Sequence, residues 1–325
     1  MKTITVTSIN DKIRLDRYIK RLYPLITQGF LESLIRKGKI KVSGVKCKSS
    51  QRLSEEDKIN LYLDLNDYED KKEVDLSSFN NNTINLANKL LNSYCLYQDD
   101  DIIIINKPSG ISTQGGNKLN ISIDHAIQYM NSLDEKNQFR ITHRLDKDTT
   151  GILLIAKNYK YASIITEMFR NKTIYKEYLA VLDGIPIDKS GIIKSNLQKI
   201  KTRDGFFVKN TEYDKEPDLD GNYQKENIAI TEYEIINYDK AKNISLCLFK
   251  PITGKMHQLR VHANLIGCSV VGDSKYSKYS LINDEDNDNN NKKHSLMLHA
   301  TKISFDYKGQ KITIESGVPK YFLLK

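Results

Sequence analysis

The residues best equipped for chemistry lie in one stretch, His143-Arg144-Leu145-Asp146-Lys147-Asp148-Thr149-Thr150-Gly151. Five charged or titratable side chains fill its first six positions, and the chain then turns wholly apolar at Ile152-Leu153-Leu154-Ile155-Ala156. A solvated charge run does not normally end on a buried strand. Bounded by Gly151 and Lys157-Asn158, the apolar run predicts a central strand. The charged segment is then a loop delivered to a site by rigid core. Arg144 and Asp146 are two apart, so one extended segment can aim both at one place. A carboxylate held this way can act as a nucleophile or steady a cationic intermediate. Asp148 offers a second acid for carboxylate-based hydrolysis. The same residues also fit a surface loop with a local Arg–Asp pair, and the stretch alone does not choose.

A second stretch, Pro251-Ile252-Thr253-Gly254-Lys255-Met256-His257-Gln258-Leu259-Arg260-Val261-His262, carries two more candidates. Pro251 and Gly254 predict a turn. A helix starting near His257 would present His257, Arg260 and Val261 on one side, with Gly267 as its stop. Each histidine alone reads as an ordinary helix-surface residue, and no carboxylate stands at ligand spacing. The four cysteines, Cys47, Cys95, Cys247 and Cys268, form no Cys-x-x-Cys pair. No metal is expected. No Gly-rich phosphate loop is present either, so no cofactor is expected.

Several elements must position these stretches. Asp101 and the run 102–105 predict a buried strand that breaks at Lys107-Pro108-Ser109-Gly110, with a second flexible point at Gly115-Gly116. Residues 121–131 predict a helix. So do 159–171, where Tyr161, Ile164, Ile165, Met168 and Phe169 share an inward face. Residues 174–182 predict a strand rich in β-formers, with Lys176 and Tyr178 on one face and Tyr175 and Glu177 on the other. A loop-rich hairpin region is expected over 201–227, strands at 228–236 and 244–249, and a low-complexity loop over 283–293. Two last strands are expected at 296–305 and 311–314, joined through Lys308-Gly309.

The front of the chain differs in character. A short strand is expected within 1–10. Leu15, Tyr18, Ile19 and Leu22 predict one helix, ended by Pro24. Thr27 is set to cap a second, with Phe30, Leu31, Leu34 and Ile35 inward and Gly38 at its end. Strands at 39–42 and 58–63 follow, with Gly44 at a turn. Between Lys12 and Lys48 stand eleven basic residues against Asp16 and Glu32. That local excess equals the whole chain's net charge of +9. Localised basic charge is the footprint of nucleic-acid binding. Residues 64–83 are acidic, Asn-rich and poor in apolar side chains, as in a linker.

At 325 residues the chain can hold more than one domain. No apolar run approaches the ~18 residues of a membrane span. The start lacks a signal-peptide core. Spread cysteines fit a reducing cytoplasm. The expected class is α+β: a small helix–helix–hairpin domain over 12–63, a linker over 64–83, and a larger domain over 84–325. The larger domain is expected to hold a mixed, mainly antiparallel sheet with flanking helices and a central cleft.

The front resembles the S4 RNA-binding domain, through Arg14-Leu15-Asp16 opening the first helix and Gly38-Lys39-Ile40-Lys41-Val42 after the second. From about Tyr94 to Phe305 four motifs in order resemble the RluA-type pseudouridine synthases. They are Lys107-Pro108-Ser109-Gly110, the 143–151 stretch, Lys176-Glu177-Tyr178 and the 251–262 stretch. The resemblance implies conversion of uridine to pseudouridine in RNA, with Asp146 as the essential catalytic residue. Arg144 is implied to contact RNA and fill the gap left by a flipped uridine. Tyr178 is implied to pack on the base and act in proton removal, and Arg260 to pair with Asp146. His143, Lys107, Lys255 and His257 are further expected RNA or substrate contacts, as are Arg14, Arg17, Arg36, Lys37 and Lys39 on the basic front. Four positions depart from the family pattern: Thr150 replaces serine, Lys255-Met256 replaces arginine and a small hydroxyl residue, and Gln114 stands where histidine is common. The lysine keeps the charge but not the bidentate fork.

Breaking C1′–N1 and joining C1′ to C5 needs no redox partner. The base must leave its stack, at a cost of a few kcal/mol, which Arg144 and Tyr178 can offset by stacking. Asp146 can attack the sugar or the base, or leave a glycal route open; the sequence does not choose. The expected partner is 23S rRNA ahead of tRNA, with no membrane, no obligate protein partner and a monomeric state. A non-catalytic RNA-binding factor and a glycoside hydrolase using Asp148 are the competing readings.

Overall fold

The computed structural model describes residues 2–68, 79–115, 121–133, 137–202, 205–211, 227–277 and 295–322. The chain packs into two compact units. One holds Met1–Ile104, Gln114–His143 and Leu154–Glu167; the other holds Ile105–Thr113, Arg144–Leu153 and Met168–Lys325.

The first unit begins with strand β1 (Lys2–Thr5), helices α1 (Leu15–Leu22) and α2 (Gln28–Arg36), and strands β2 (Ile40–Val42), β3 (Val45–Lys46) and β4 (Lys58–Leu61). The strands form an antiparallel sheet in the order β1-β4-β2-β3. Leu15, Tyr18 and Ile19 of α1 and Leu31, Leu34 and Ile35 of α2 pack on Ile40, Val42, Ile59 and Leu61. Each such side chain contributes about 1.5–3 kcal/mol by leaving water. Thr27 caps α2 by accepting the Phe30 N–H at 3.4 Å. Gly38, at φ +70°, turns the chain out of it. Phe30, expected inward, is instead 38% exposed and lies against Tyr68. The α2 stripe is wider than the core it covers.

The same unit continues with α3 (Asn81–Leu91), β5 (Cys95–Gln98), β6 (Ile102–Lys107), α4 (Ile123–Leu133), β7 (Arg140–Ile141), β8 (Thr150–Ala156) and α5 (Tyr159–Arg170). Residues 105–107 of β6 and 150–153 of β8 belong to the other unit. Asn80 to Asn82, read from sequence as linker, begin a helix. The Asn80 side chain accepts the Thr83 N–H at 2.8 Å and caps α3. The inward face expected on α5 is only partly covered. Ile165 is fully buried, but Ile164 is 41% exposed.

The second unit adds β9 (Tyr175–Asp183), β10 (Ser190–Thr202), β11 (Gly205–Thr211), β12 (Ile228–Asp239), β13 (Ile244–Pro251), α6 (Gln258–Leu265), β14 (Ser269–Val270), β15 (Leu298–Tyr307) and β16 (Gln310–Glu315). Its strand order is β11-β10-β12-β13-β9-β15-β8, with β16 beside β15 and β14 beside β9. In this unit β10 pairs antiparallel with β11 and β12, β13 with β12 and β9, β9 with β14 and β15, and β15 with β16, while β15 pairs parallel with β8. Ala180, Leu182, Cys247, Phe249 and Leu298 of the sheet pack with Leu259 and Ala263 of α6. The expectation of a mixed, mainly antiparallel sheet with flanking helices holds. Regular strands run through the first part of the segment expected to be loop-rich. Residues 69–78 of the expected linker, Gly116, 212–226 and the Asn/Asp loop at 283–293 lie outside the described residues. Among the described residues no helix is long and apolar enough to cross a membrane.

Candidate active site

The loop that carries Asp146 is pinned at many points. Lys107, at the end of β6, is fully buried. Its Nζ donates to the carbonyls of Pro108, Ile111 and Lys147, each at 2.9 Å. Burial pushes its pKa down to about 8, against the pull of Asp148 and Asp146, so it remains charged at neutral pH. The Thr113 hydroxyl donates to the Leu145 carbonyl at 2.7 Å and accepts the Leu145 N–H at 3.1 Å. Ser109 Oγ donates to the Asp148 carbonyl at 3.3 Å. The loop's far end is fixed by Thr150, whose hydroxyl lies 2.7 Å from His299 Nδ1. Threonine at this departure from the family pattern therefore keeps a working hydroxyl. Gly151 follows at φ +104°, paired with Ala300. A Cβ there would lie 2.2 Å from the Ala300 carbonyl oxygen, so no larger residue fits this crossing.

The 251–262 stretch builds the facing wall. Gln258 anchors the turn before α6: its Oε1 accepts from Thr253 Oγ1 at 2.8 Å and from the Lys255 N–H at 2.9 Å. Its Nε2 donates to the Ile230 carbonyl at 3.0 Å and to Thr231 Oγ1 at 2.9 Å. His262 docks the helix on the sheet, between Ser195 Oγ at 2.8 Å and Thr231 Oγ1 at 2.9 Å. Burial pushes it down to about 4. Neither histidine of the stretch is the helix-surface residue that spacing suggests. His262 is fully buried and His257 is 9% exposed. Nor does α6 start at His257, which sits before it in the left-handed region at φ +52°. That turn aims the ring inward.

Two groups face Asp146, and a third feels its charge. Arg260 Nη1 lies 3.6 Å from Asp146 Oδ2, as expected of this long-range pair, and His257 Nε2 lies 3.9 Å from the same oxygen. Both separations exceed a hydrogen bond, so the contacts are electrostatic. Tyr178 is the third. Burial and the Asp146 charge both push its hydroxyl pKa up, so the phenol is neutral.

Two residues with no local motif complete the site. Asp273 accepts from Arg260 Nε at 2.7 Å and from Nη2 at 2.6 Å. Its Oδ1 also accepts the N–H groups of Lys275 at 2.9 Å and Tyr276 at 3.1 Å. Burial tends to lower the Arg260 pKa, but the hydrogen bonds and charge of Asp273, then the charge of Asp146, hold it above its ordinary value. The Tyr276 ring lies 5.0 Å from the Arg260 guanidinium, and its hydroxyl is 2.7 Å from His257 Nδ1. The only sequence signal for this pair is an aspartate after an apolar Val270-Val271-Gly272 run, too weak to single it out.

The remaining candidates scatter. Arg144 is exposed beside the pinned loop, and Lys255 is exposed on its turn. Asp148, the second acid a hydrolase would use, is also exposed. Three of the expected RNA or substrate contacts have partners within the protein. Lys107 is buried under three carbonyls, and His143 Nε2 accepts the Leu154 N–H at 2.9 Å. Both side chains hold the backbone. His257, the third, faces Asp146 and not solvent. On the front of the chain Arg17, Arg36, Lys37 and Lys39 are exposed. Arg14 is held by Asp16, Nε to Oδ1 at 3.1 Å and Nη2 to Oδ2 at 2.6 Å. Among the described residues no cluster of potential metal ligands occurs.

Comparison with known proteins agrees with this geometry. Residues 101–265 match the RNA pseudouridylate synthase family model, and residues 13–59 match the S4 domain. The ribosomal large subunit pseudouridine synthase C of Rickettsia bellii is 39% identical over 326 residues, covering 98% of this chain and 99% of that one. Its Haemophilus influenzae counterpart is 28% identical over 94% of this chain and 88% of its own. The solved structure of human RNA pseudouridylate synthase domain containing 4 shares the fold. It aligns with a TM-score of 0.59 at 24% identity, over 74% of this chain and 94% of that one. The chain belongs to the RNA pseudouridylate synthase family, as an RluA-type enzyme with an S4 domain in front.

Proposed function

We propose that this enzyme isomerises specific uridines of large-subunit rRNA to pseudouridine, with Asp146 as its reactive carboxylate. The observation that carries the assignment of Asp146 is convergence. Arg260 and His257, over a hundred residues away in sequence, both face its Oδ2, at 3.6 and 3.9 Å. The rRNA substrate rests on the relatives named for the large ribosomal subunit and on the S4 match.

In this reading a uridine leaves its stack and enters beside Asp146. Arg144 fills the vacancy and Tyr178 packs on the extruded base. Asp146 assists cleavage of the C1′–N1 bond. The base turns, C5 joins C1′, and the C5 proton is lost as N1 gains one, so the product is an isomer. Asp146's charge is one cause of the raised Tyr178 pKa. Once that charge is consumed in a bond or balanced by a cationic sugar, its upward push on the Tyr178 pKa is relieved and the phenol gives up its proton more readily. Arg260 orients the carboxylate before reaction. Arg17, Arg36, Lys37, Lys39 and Lys255 supply phosphate contacts that position the RNA, with Arg14 contributing through its Asp16-held fork.

The domain division follows the same logic: an S4-like module over 12–63, a connecting segment that ends where Asn80 caps α3, and the catalytic domain beyond. The enzyme works as a monomer on RNA. The direct test is to map pseudouridines in large-subunit rRNA from cells with and without the gene, and to restore missing sites with purified protein. Sites that vanish and return support the reading. An unchanged rRNA map would overturn the assigned substrate.

A further inference from the structure

Among the described residues the Tyr276 hydroxyl proton has one acceptor. The Val208 N–H donates to the Tyr276 oxygen at 2.9 Å. A phenol oxygen that accepts a backbone N–H still carries one hydrogen to give. The ring nitrogen His257 Nδ1 stands 2.7 Å away. Burial keeps the imidazole neutral, its pKa pushed down to about 4 despite the pull of Asp146. A neutral ring that accepts at Nδ1 must carry its proton on Nε2, and Nε2 is the atom 3.9 Å from Asp146 Oδ2.

We infer that Tyr276 is a positioning residue of this site: its hydroxyl fixes His257 as the Nε2–H tautomer and thereby turns a neutral N–H donor toward Asp146. The inference rests on Asp146 being the reactive carboxylate. The surroundings of Tyr276 suit the task. Its ring is 6% exposed and stacks at 4.7 Å on Phe207. Its carbonyl accepts from Asn264 Nδ2 at 2.8 Å, and its N–H is held by Asp273. The tyrosine therefore cannot swing away, and the tautomer is set by rigid structure. The same ring also backs Arg260, so one side chain steadies both groups that face Oδ2. A neutral donor and a cation on one oxygen orient the carboxylate and leave its Oδ1 for the substrate. Without the hydroxyl, Nδ1 would lose its donor. The Nε2-bare tautomer would then place a lone pair against the carboxylate, which repels.

The test reads the tautomer directly. Wild-type enzyme with 15N-labelled histidine is compared with Tyr276→Phe by long-range 1H–15N correlation at pH 7, with assignment by loss of signal in His257→Gln. The expected result is an Nε2–H ring in wild type and a mixture containing Nδ1–H in Tyr276→Phe. In the variant kcat should fall on the order of tenfold, with KM for rRNA within about twofold of wild type. Phenylalanine keeps the packing on Arg260 and Phe207 but leaves the buried Val208 N–H without its acceptor, so the melting temperature should fall modestly and rates are compared where both proteins are folded. An Nδ1–H or doubly protonated ring in wild type would overturn the inference. So would a Tyr276→Phe enzyme that keeps the wild-type tautomer, whatever its rate. If Asp146 proved not to be the reactive group, Asp146→Asn would stay active while the tautomer spectra stood unaltered, so the two failures are distinguishable.

Discussion

Arg260 is bound more closely by Asp273 than by Asp146: two nitrogens lie 2.6 and 2.7 Å from Asp273, while the third stands 3.6 Å from Asp146. The guanidinium is thus fixed by one carboxylate and offered to another. Asp273's side chain is fully buried. Removing it by Asp273→Ala would strand a buried cation, which typically costs about 3–5 kcal/mol. Urea unfolding should show that loss, and pseudouridine formation should fall in parallel. A wild-type unfolding midpoint would contradict the role given to this pair.

Lys107 makes a different claim about the loop. Its ammonium serves three backbone carbonyls, so Lys107→Met keeps the volume and removes all three donors. The expected loss is about 3 kcal/mol, from stranded acceptors. RNA affinity should hold under conditions where the variant is folded, measured by filter binding. A variant that lost affinity while keeping stability would return Lys107 to the RNA-contact role.

The buried histidines fix the sign of the acid response. His257 and His262 are both pushed down to about 4 by burial, whereas in the unfolded chain they titrate near ~6.5. As pH falls between about 6.5 and 4, the unfolded chain takes up protons that the fold refuses. Stability is present above the upper value and is lost through that window. Urea midpoints should therefore drop from pH 7.5 to pH 5, and His262→Asn should flatten the slope. A midpoint that rose on acidification would contradict the neutral assignment.

Arg144 is exposed on the loop that carries Asp146. Arg144→Ala should leave the melting temperature within about 1 °C of wild type, since exposed substitutions cost little. It should weaken RNA binding and reduce the salt dependence by about one phosphate contact. Unchanged binding at several salt concentrations would remove it from the interface.

Much of this was legible in the sequence because the signals are local. The 152–156 run, the α5 boundaries, Thr27 and Gly38 each announce an element through its own residues. Asp146 and Arg260 stood out by type and spacing, and their long-range pairing followed from family resemblance. What escaped depends on tertiary packing. Asp273 and Tyr276 are ordinary residues until the segment after β14 folds back over α6. The Asn80–Asn82 run resembles a linker by composition, and only the cap on Thr83 makes it a helix start. Lys107 and His143 looked like RNA contacts because charge and ring were visible, whereas the backbone carbonyls and amides they serve were not. His257 looked exposed because its left-handed turn cannot be read from helical spacing.

The central claim, that Asp146 is the group on which the chemistry turns, has one most direct measurement. Asp146→Asn keeps the shape and removes the charge. Purified variant and wild type would be incubated with unmodified 23S rRNA, and pseudouridine quantified by nucleoside mass spectrometry alongside RNA affinity. The expected result is loss of product by at least about a thousandfold, with RNA binding largely intact. Product at the wild-type rate from Asp146→Asn would contradict the account.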